Sequence, residues 1–297
     1  MISLITCSRK STIPASLEAN IRETIGVPYE VIAVDNSENR YSIFEAYNLG
    51  ASQAKYDLLC FMHDDILYQT DQWGRRLAAH LHNPSVGVVG VAGAVYKTAE
   101  DSPWWISNEG DFSRYCRYNL IQHFKSGARH MLAPASGGEA DTADVVVLDG
   151  VWFSCRREIW ERHPFDTSTY KGFHFYDLDF SLQAFVAGFR NKVCYDILIE
   201  HFSAGSLDGG WVQASALFHE KWKAVLPAAS VELPEADIRT IRKAALADYV
   251  SVLNANKLFA PGRWFSHWMK GLWMEPLRKG SWQAVWQYTK GVIKSLG

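Results

Sequence analysis

Short apolar runs that end abruptly in polar clusters mark out the first part of the chain. Ile2 to Cys7 is apolar and β-branched and gives way to Ser8-Arg9-Lys10-Ser11. Tyr29 to Val34 ends at Asp35-Asn36-Ser37, and Tyr56 to Met62 ends at His63-Asp64-Asp65. Between them, Ser16 to Ile25 and Ser42 to Ala54 read as helices. Strands that do not alternate are apolar on both faces, so this rhythm predicts a mainly parallel sheet covered by helices. In such sheets ligands sit beyond the carboxyl ends of the strands. The polar clusters fall at those ends, so Thr6 to Arg9, Asp35 to Ser37 and His63 to Asp65 are expected to converge on one crevice.

Farther along, Val86 to Val95 and Val145 to Ser154 predict further strands. Asp177 to Ala187 predicts an amphipathic helix closed by Gly188, and Asn191 to Ile199 a last strand before Glu200-His201. Residues 97–144 combine Pro, Gly and Ser with many aromatics and read as an irregular, acceptor-side loop region. From about residue 211 the pattern is helical. The expected organisation is an α/β unit over 1–210 and a helical extension over 211–297.

Composition narrows the class. The 297 residues are enough for one large α/β domain with an appendage. A net charge of −2 supplies no basic field of the kind nucleic-acid binding needs. The cysteines, Cys7, Cys60, Cys116, Cys155 and Cys194, are dispersed and contain no C-x-x-C pair, which fits neither a zinc ribbon nor a disulfide framework. The first residues lack signal-peptide features, and no run approaches the roughly 20 apolar residues of a membrane span. A reducing, cytoplasmic setting is the expectation.

Asp64 and Asp65 are the first candidate chemistry. Adjacent carboxylates at the edge of a core are costly unless compensated. A divalent cation shared with a diphosphate would compensate them; a solvated turn or a helix cap is the ordinary alternative. Asp177 and Asp179 suit the first turn of a helix by the macrodipole, and a carboxylate there is also a candidate general base.

Taken in order, the segments resemble the family 2 glycosyltransferases, which have the GT-A fold. The resemblance runs from residue 2 to about 206. It rests on Thr6-Cys7-Ser8-Arg9, Asp35-Asn36-Ser37, Tyr47-Asn48-Leu49-Gly50-Ala51 and His63-Asp64-Asp65. It continues through Gly150, Arg156-Arg157, Pro164-Phe165-Asp166, Tyr176-Asp177-Leu178-Asp179, Ala187-Gly188-Phe189-Arg190 and His201. The resemblance implies a Rossmann-like, mixed and mainly parallel sheet flanked by helices. It implies that Thr6, Cys7, Ser8, Arg9, Asp35, Asn48, Asp64 and Asp149 bind a nucleotide-sugar donor, most commonly a UDP-sugar. Asp65 and His201 would hold Mn2+ or Mg2+, Asp177 would be the base of an inverting transfer, and Trp152 would face the acceptor. The sequence departs from the family pattern at His63, where an Asp is common, and at Tyr176, where a Glu is common.

The C-terminal stretch has its own character. Residues 257–297 carry seven Lys or Arg and one acid, Glu275, together with Trp264, Trp268, Trp273, Trp282 and Trp286. Phe265, Trp268, Met269 and Leu272 share one helical face. Trp282, Val285, Trp286, Thr289, Val292, Ile293 and Leu296 share another, with Lys290 and Lys294 off it. A basic, Trp-rich amphipathic helix suits a membrane surface, and it equally suits packing on the catalytic unit or a homo-oligomer interface. On the membrane reading the acceptor is a lipid-linked glycan and the protein is peripheral on the inner membrane.

Other functions fit less well. A nucleotidyltransferase is expected to carry a Gly-rich basic phosphate loop, and a helical metal hydrolase a spaced His pair; neither pattern occurs. A non-catalytic nucleotide-sugar or glycan-binding protein of the same fold is the remaining alternative. It has no need of Asp64, Asp65, Asp177 and His201 at separate element ends.

Overall fold

The computed structural model describes residues 1–106, 115–133, 141–203 and 205–257. The N-terminal part runs β1 (Ile2–Ser8), α1 (Ala15–Thr24), β2 (Tyr29–Asp35), α2 (Ile43–Gln53), β3 (Leu58–Met62), β4 (Ile66–Tyr68), α3 (Trp73–His82) and β5 (Val86–Gly90). Short strands follow: β6 (Ala92–Ala94), β7 (Tyr96–Lys97), β8 (Cys116–Tyr118), β9 (Leu120–His123), β10 (Arg129–Leu132), β11 (Thr142–Val145) and β12 (Val147–Leu148). The chain continues with β13 (Trp152–Arg156), α4 (Arg157–Arg162), α5 (Tyr176–Val186), β14 (Arg190–Cys194), β15 (Ile199–His201), α6 (Gly209–Lys221), β16 (Ala228–Ala229) and α7 (Glu235–Ala255).

The main sheet has seven strands in the order β11-β14-β5-β13-β3-β1-β2. The pairs β1–β2, β1–β3 and β5–β14 are parallel, whereas β13 runs antiparallel to both β3 and β5, and β11 antiparallel to β14. Five strands therefore point one way, giving the mixed, mainly parallel α/β sheet expected of the GT-A fold. Its central strands are apolar on both faces because helices cover both, and Leu4, Ile5, Leu59, Phe61, Val88 and Val89 are fully buried. A second, four-stranded sheet, β10-β9-β15-β4, stands beside the carboxyl edge of the first.

Three segments differ from the sequence expectation. Val86 to Val95 is two strands, because after Gly90 the chain leaves the main sheet for a small sheet of order β12-β6-β8. That crossing is tight: a side chain at Gly93 would overlap the Val147 carbonyl. Val145 to Ser154 is likewise divided among β11, β12 and β13. Among the described residues of 97–144, the short strands β8, β9 and β10 appear where an irregular region was expected, and β9 and β10 help build the second sheet.

The consecutive arginines after β13 serve this scaffold. Arg156 donates to the carbonyls of Leu81, Asn83, Pro84 and Val86, closing the end of α3. Arg157 donates to those of Ala51, Ala54 and Tyr56, closing α2. Each satisfies carbonyls that a helix terminus leaves unpaired. At its other end α2 has a capping box, in which Ser42 accepts from the Glu45 N–H and Glu45 from the Ser42 N–H.

The described helices of the 211–297 region, α6 and α7, belong to the same hydrophobic cluster as the sheet, through Trp211, Val212, Phe218, Ile241, Tyr249 and Leu253. A buried polar knot fastens α6 to the segment after β7. The Lys97 ammonium donates to the Ser102 hydroxyl at 2.6 Å and faces His219 Nε2 at 2.9 Å; His219 Nδ1 lies 3.1 Å from Asp101. Burial pushes the Lys97 ammonium down to about 7, against the pull of Asp101 and Glu100. The unfolded chain therefore binds one more proton at this residue between about pH 7 and its ordinary value of 10.5, and stability gained here rises with pH across that window. Lys97→Met is expected to flatten that rise. Urea midpoints of both proteins at neutral and alkaline pH provide the comparison.

The Trp- and Lys-rich stretch from 258 to 297, with both amphipathic patterns, lies outside the described residues. Among the described residues no helix is long and apolar enough to cross a membrane.

Candidate active site

Four chain segments meet at the carboxyl edge of the main sheet. The loop His63-Asp64-Asp65 leaves β3 and turns at once into β4 of the second sheet. The β4–β15 ladder pairs Ile66 with His201, and the Phe202 N–H donates to the Asp65 carbonyl, which brings His201 to Asp65. The β3–β13 register pairs Met62 with Trp152, and the His63 N–H donates to the Val151 carbonyl, which brings Asp149 and Gly150 alongside. The fourth segment is the start of α5, Tyr176-Asp177. Phe175 precedes it in the left-handed region (φ 68°), at a cost of about 1–2 kcal/mol. Its buried ring lies against Trp211 and Phe218 of α6.

His63, Asp65 and His201 form a compact triangle. His63 Nδ1 is 3.3 Å from His201 Nε2 and 3.7 Å from Asp65 Oδ1, and His201 Nε2 is 3.5 Å from the same oxygen. Bonds of about 2.1 Å to one cation place neighbouring ligand atoms about 3.0–3.4 Å apart, so the triangle needs little contraction to hold one. Burial, then the neighbouring His201, pushes His63 down against the opposing pull of Asp65. Burial raises the Asp65 carboxyl, but its contacts with His201 and Ser203 outweigh burial and hold it far below its usual range. These residues fit a divalent cation. His63 was absent from the metal ligands expected from sequence; its place directly after an apolar strand, beside two acids, is the signal that marks it.

On the donor side, the Ser8 hydroxyl donates to Asp64 at 2.6 Å, joining the ends of β1 and β3. Cys7 is half-buried, and its thiol is pushed up by burial. Arg9 is exposed. Asp35, at the end of β2, is exposed and accepts the Ser37 N–H at 2.9 Å. Thr6 is wholly buried, its hydroxyl without a partner among the described residues, so the accessible edge begins at Cys7. Asn48 is engaged elsewhere: it donates to the Phe165 carbonyl and accepts from the Phe165 N–H and the Trp160 indole, tying α2 to the loop after α4.

Trp152 corrects an expectation. It is fully buried, its indole N–H donates to the Tyr68 hydroxyl and its ring meets Trp73 edge-on, so it is a core residue and not an acceptor platform. The indole that does reach the site is Trp104, which donates to Asp149 Oδ2 at 2.9 Å while the Val151 N–H holds Oδ1. Phe173, about half exposed, stands edge-on to Tyr176 with ring centroids 6.0 Å apart.

Asp177 sits in the first turn of α5. Burial, then the neighbouring Asp149 carboxylate, raises its carboxyl well above the usual range, against the N–H groups of Leu178 and Gly150. A carboxyl so placed can accept a proton near neutral pH. Asp179, one helical step on, is wholly buried and takes no part in the crevice. It accepts from the Tyr170 hydroxyl, the Trp222 indole, Gln183 and Lys221.

A family model described as "Glycosyltransferase like family" matches residues 3–214. No curated protein matches the chain in sequence. Solved structures similar to it include a mannosyltransferase, PcManGT, from Pyrobaculum calidifontis in complex with GDP-Man and Mn2+. That likeness has 15% identity and a TM-score of 0.48, over 99% of this chain and 86% of that one. TarS from S. aureus, residues 1–349, is similar at 14% identity and a TM-score of 0.45, over 91% of this chain and 78% of that one. GalNAc-T7 with UDP, GalNAc and Mn2+ is similar at 8% identity and a TM-score of 0.45, over 69% of this chain and 44% of that one.

Proposed function

The chain belongs to the glycosyltransferase-like family, and from that premise we propose that it is an inverting, metal-dependent transferase moving a sugar from a nucleoside diphosphate to an acceptor hydroxyl. The observation that carries this reading is the His63–Asp65–His201 triangle standing one segment away from Asp177. Cys7, Ser8, Arg9 and Asp35 offer the edge for the nucleoside, and Asp64, fixed by Ser8, faces the donor sugar. Asp177 takes the proton of the acceptor hydroxyl as that oxygen bonds to the anomeric carbon. The bond from that carbon to the diphosphate oxygen breaks, and its electron pair leaves with the diphosphate. A bound divalent cation supplies charge neutralisation on that leaving group. One displacement from the opposite face inverts the anomeric centre. Phe173, exposed beside the start of α5, replaces Trp152 as the ring on which an acceptor sugar stacks.

Within this reading the donor is a UDP-sugar, as is common in the resembling family, and the cation is Mn2+ or Mg2+. The basic, Trp-rich tail supports a lipid-linked glycan acceptor in surface polysaccharide or glycolipid assembly, with the protein peripheral on the cytoplasmic face of the inner membrane. A thermal-shift panel of UDP, dTDP, GDP and CMP, with and without Mn2+, tests the core of the proposal, because a ligand of the native state raises apparent stability. Metal-dependent stabilisation by one diphosphate, absent in Asp65→Ala, is the expected result. Stabilisation by none of the four would sink it.

A further inference from the structure

The triangle contains a conflict that its surroundings create. Gln122 directs its amide nitrogen at two carbonyls, those of His123 and Ser203, each at 2.7 Å. Carbonyls only accept, so the amide orientation is fixed and Gln122 Oε1 must face His201 Nδ1, 3.0 Å away. His201 therefore carries a proton on Nδ1. The Tyr176 hydroxyl donates to the Gly150 carbonyl at 3.1 Å, which leaves its oxygen lone pairs for His63 Nε2, also at 3.1 Å. His63 therefore carries its proton on Nε2. In the neutral rings the two remaining nitrogens, His63 Nδ1 and His201 Nε2, are both bare, and they face each other at 3.3 Å with neither able to donate. The Ser203 hydroxyl, 3.4 Å from His201 Nε2, can donate to that nitrogen but leaves His63 Nδ1 bare, and a cation between the two rings and Asp65 would take a lone pair from each.

Gly150 belongs to the same arrangement. Any side chain there would overlap the Tyr176 hydroxyl, so the glycine is what lets that hydroxyl reach the Gly150 carbonyl. Tyr176 thus reaches the ring of His63 from a position that Gly150 leaves open.

Resting on the reading of the triangle as a cation site, we propose that Tyr176 and Gln122 are positioning residues that fix the tautomers of His63 and His201. The face they create, two imidazole nitrogens and one carboxylate oxygen, selects a transition-series divalent cation over Mg2+. Imidazole nitrogen suits the later transition-series ions and binds Mn2+ less strongly, whereas Mg2+ takes oxygen ligands and gives up water reluctantly. Groups that orient ligating histidines are worth about 10–100-fold in metal affinity.

The test is direct metal binding to the full-length apoprotein, with no sugar substrate. Co2+ is followed by its visible absorption and Mn2+ by the fraction left free in solution, each in competition with a large molar excess of Mg2+. The wild type is expected to bind both ions and to keep them against Mg2+. Tyr176→Phe and Gln122→Ala are expected to bind Co2+ and Mn2+ about 10–100-fold more weakly, with unchanged far-UV circular dichroism. Because Tyr176→Phe removes a single oxygen from a buried ring, it remains informative if Gln122→Ala proves unstable. Displacement of Co2+ by Mg2+ in the wild type overturns the selectivity, and wild-type affinity in Tyr176→Phe overturns the positioning role; both leave the cation site standing. Undiminished Co2+ binding by Asp65→Ala instead overturns the site itself.

Discussion

Asp177→Asn is expected to lower turnover by about 10²- to 10⁴-fold, the usual contribution of a general base, while nucleotide and cation binding persist. The amide keeps the shape of the carboxylate and its place in the first turn of α5, but it cannot take a proton from the acceptor hydroxyl. Initial rates of diphosphate release, set beside the thermal shift produced by nucleotide and Mn2+, separate the two effects. Equal loss of both would mean that Asp177 organises the pocket and is not the base. Retention of both would mean that another group takes the proton and that Asp177 is not the base. The wild-type pH profile carries a related signature. Burial and Asp149 raise the Asp177 carboxyl, so kcat/KM of the free enzyme is expected to climb with pH through a limb lying above the ordinary carboxylate range.

The second large effect is on stability. Lys221 bridges Asp166 and Asp179, at 2.8 and 2.9 Å, and Asp179 is almost completely enclosed. Removing one partner of a buried pair leaves an uncompensated charge and costs about 3–5 kcal/mol, so Lys221→Met is expected to lose about that much at neutral pH. The sign with pH is specific. Burial raises the Asp179 carboxyl above its unfolded value even with Lys221, Trp222 and Tyr170 lowering it. The stability linked to Asp179 is therefore present in acid and is lost as pH rises through its folded titration. Without Lys221 that titration moves higher still. The deficit of the variant should be largest near neutral pH and shrink as the solution is made acid, where Asp179 is protonated in both proteins. Urea denaturation at several pH values measures it; a pH-independent deficit would point instead to lost packing of the lysine stem.

The parts of the fold that were legible in the sequence are those where one local signal decides the structure. β1, β2 and β3 are apolar on both faces, and their ends at Ser8, Asp35 and Met62 fall within about one residue of the polar clusters that mark them. Continuous apolar runs also hid structure. Val86 to Val95 passes from one sheet to another at Gly90, and hydrophobicity does not record which neighbour a strand pairs with. The helix α3 has no side-chain cap; it starts from Gln72 in a left-handed conformation, so the usual start signal is missing. At the site, Asp64 and Asp65 drew notice as adjacent acids just after an apolar strand, whereas the roles expected of Asp177 and His201 came from the family resemblance. His63 had a local signal, its place between an apolar strand and two acids, but its contacts with His201 and Tyr176, far away in sequence, could not be read from it. Trp152 was misplaced because a strand position does not say which face meets solvent, and here Tyr68 and Trp73 enclose the ring.

The family match ends at residue 214, inside α6, which runs to Lys221. The side chains that neutralise Asp179, close over Phe175 and engage Lys97 lie on α6 or just after it, at Lys221, Trp222, Phe218 and His219. Recombination between relatives, natural or in the laboratory, is therefore constrained by a seam that similarity does not draw. A chimera joined at 214 would pair one parent's α5 with another's Lys221 position, and its fate would depend on whether that parent also places a cation there. A junction between β16 and α7 would exchange α5 and α6 as one inherited block.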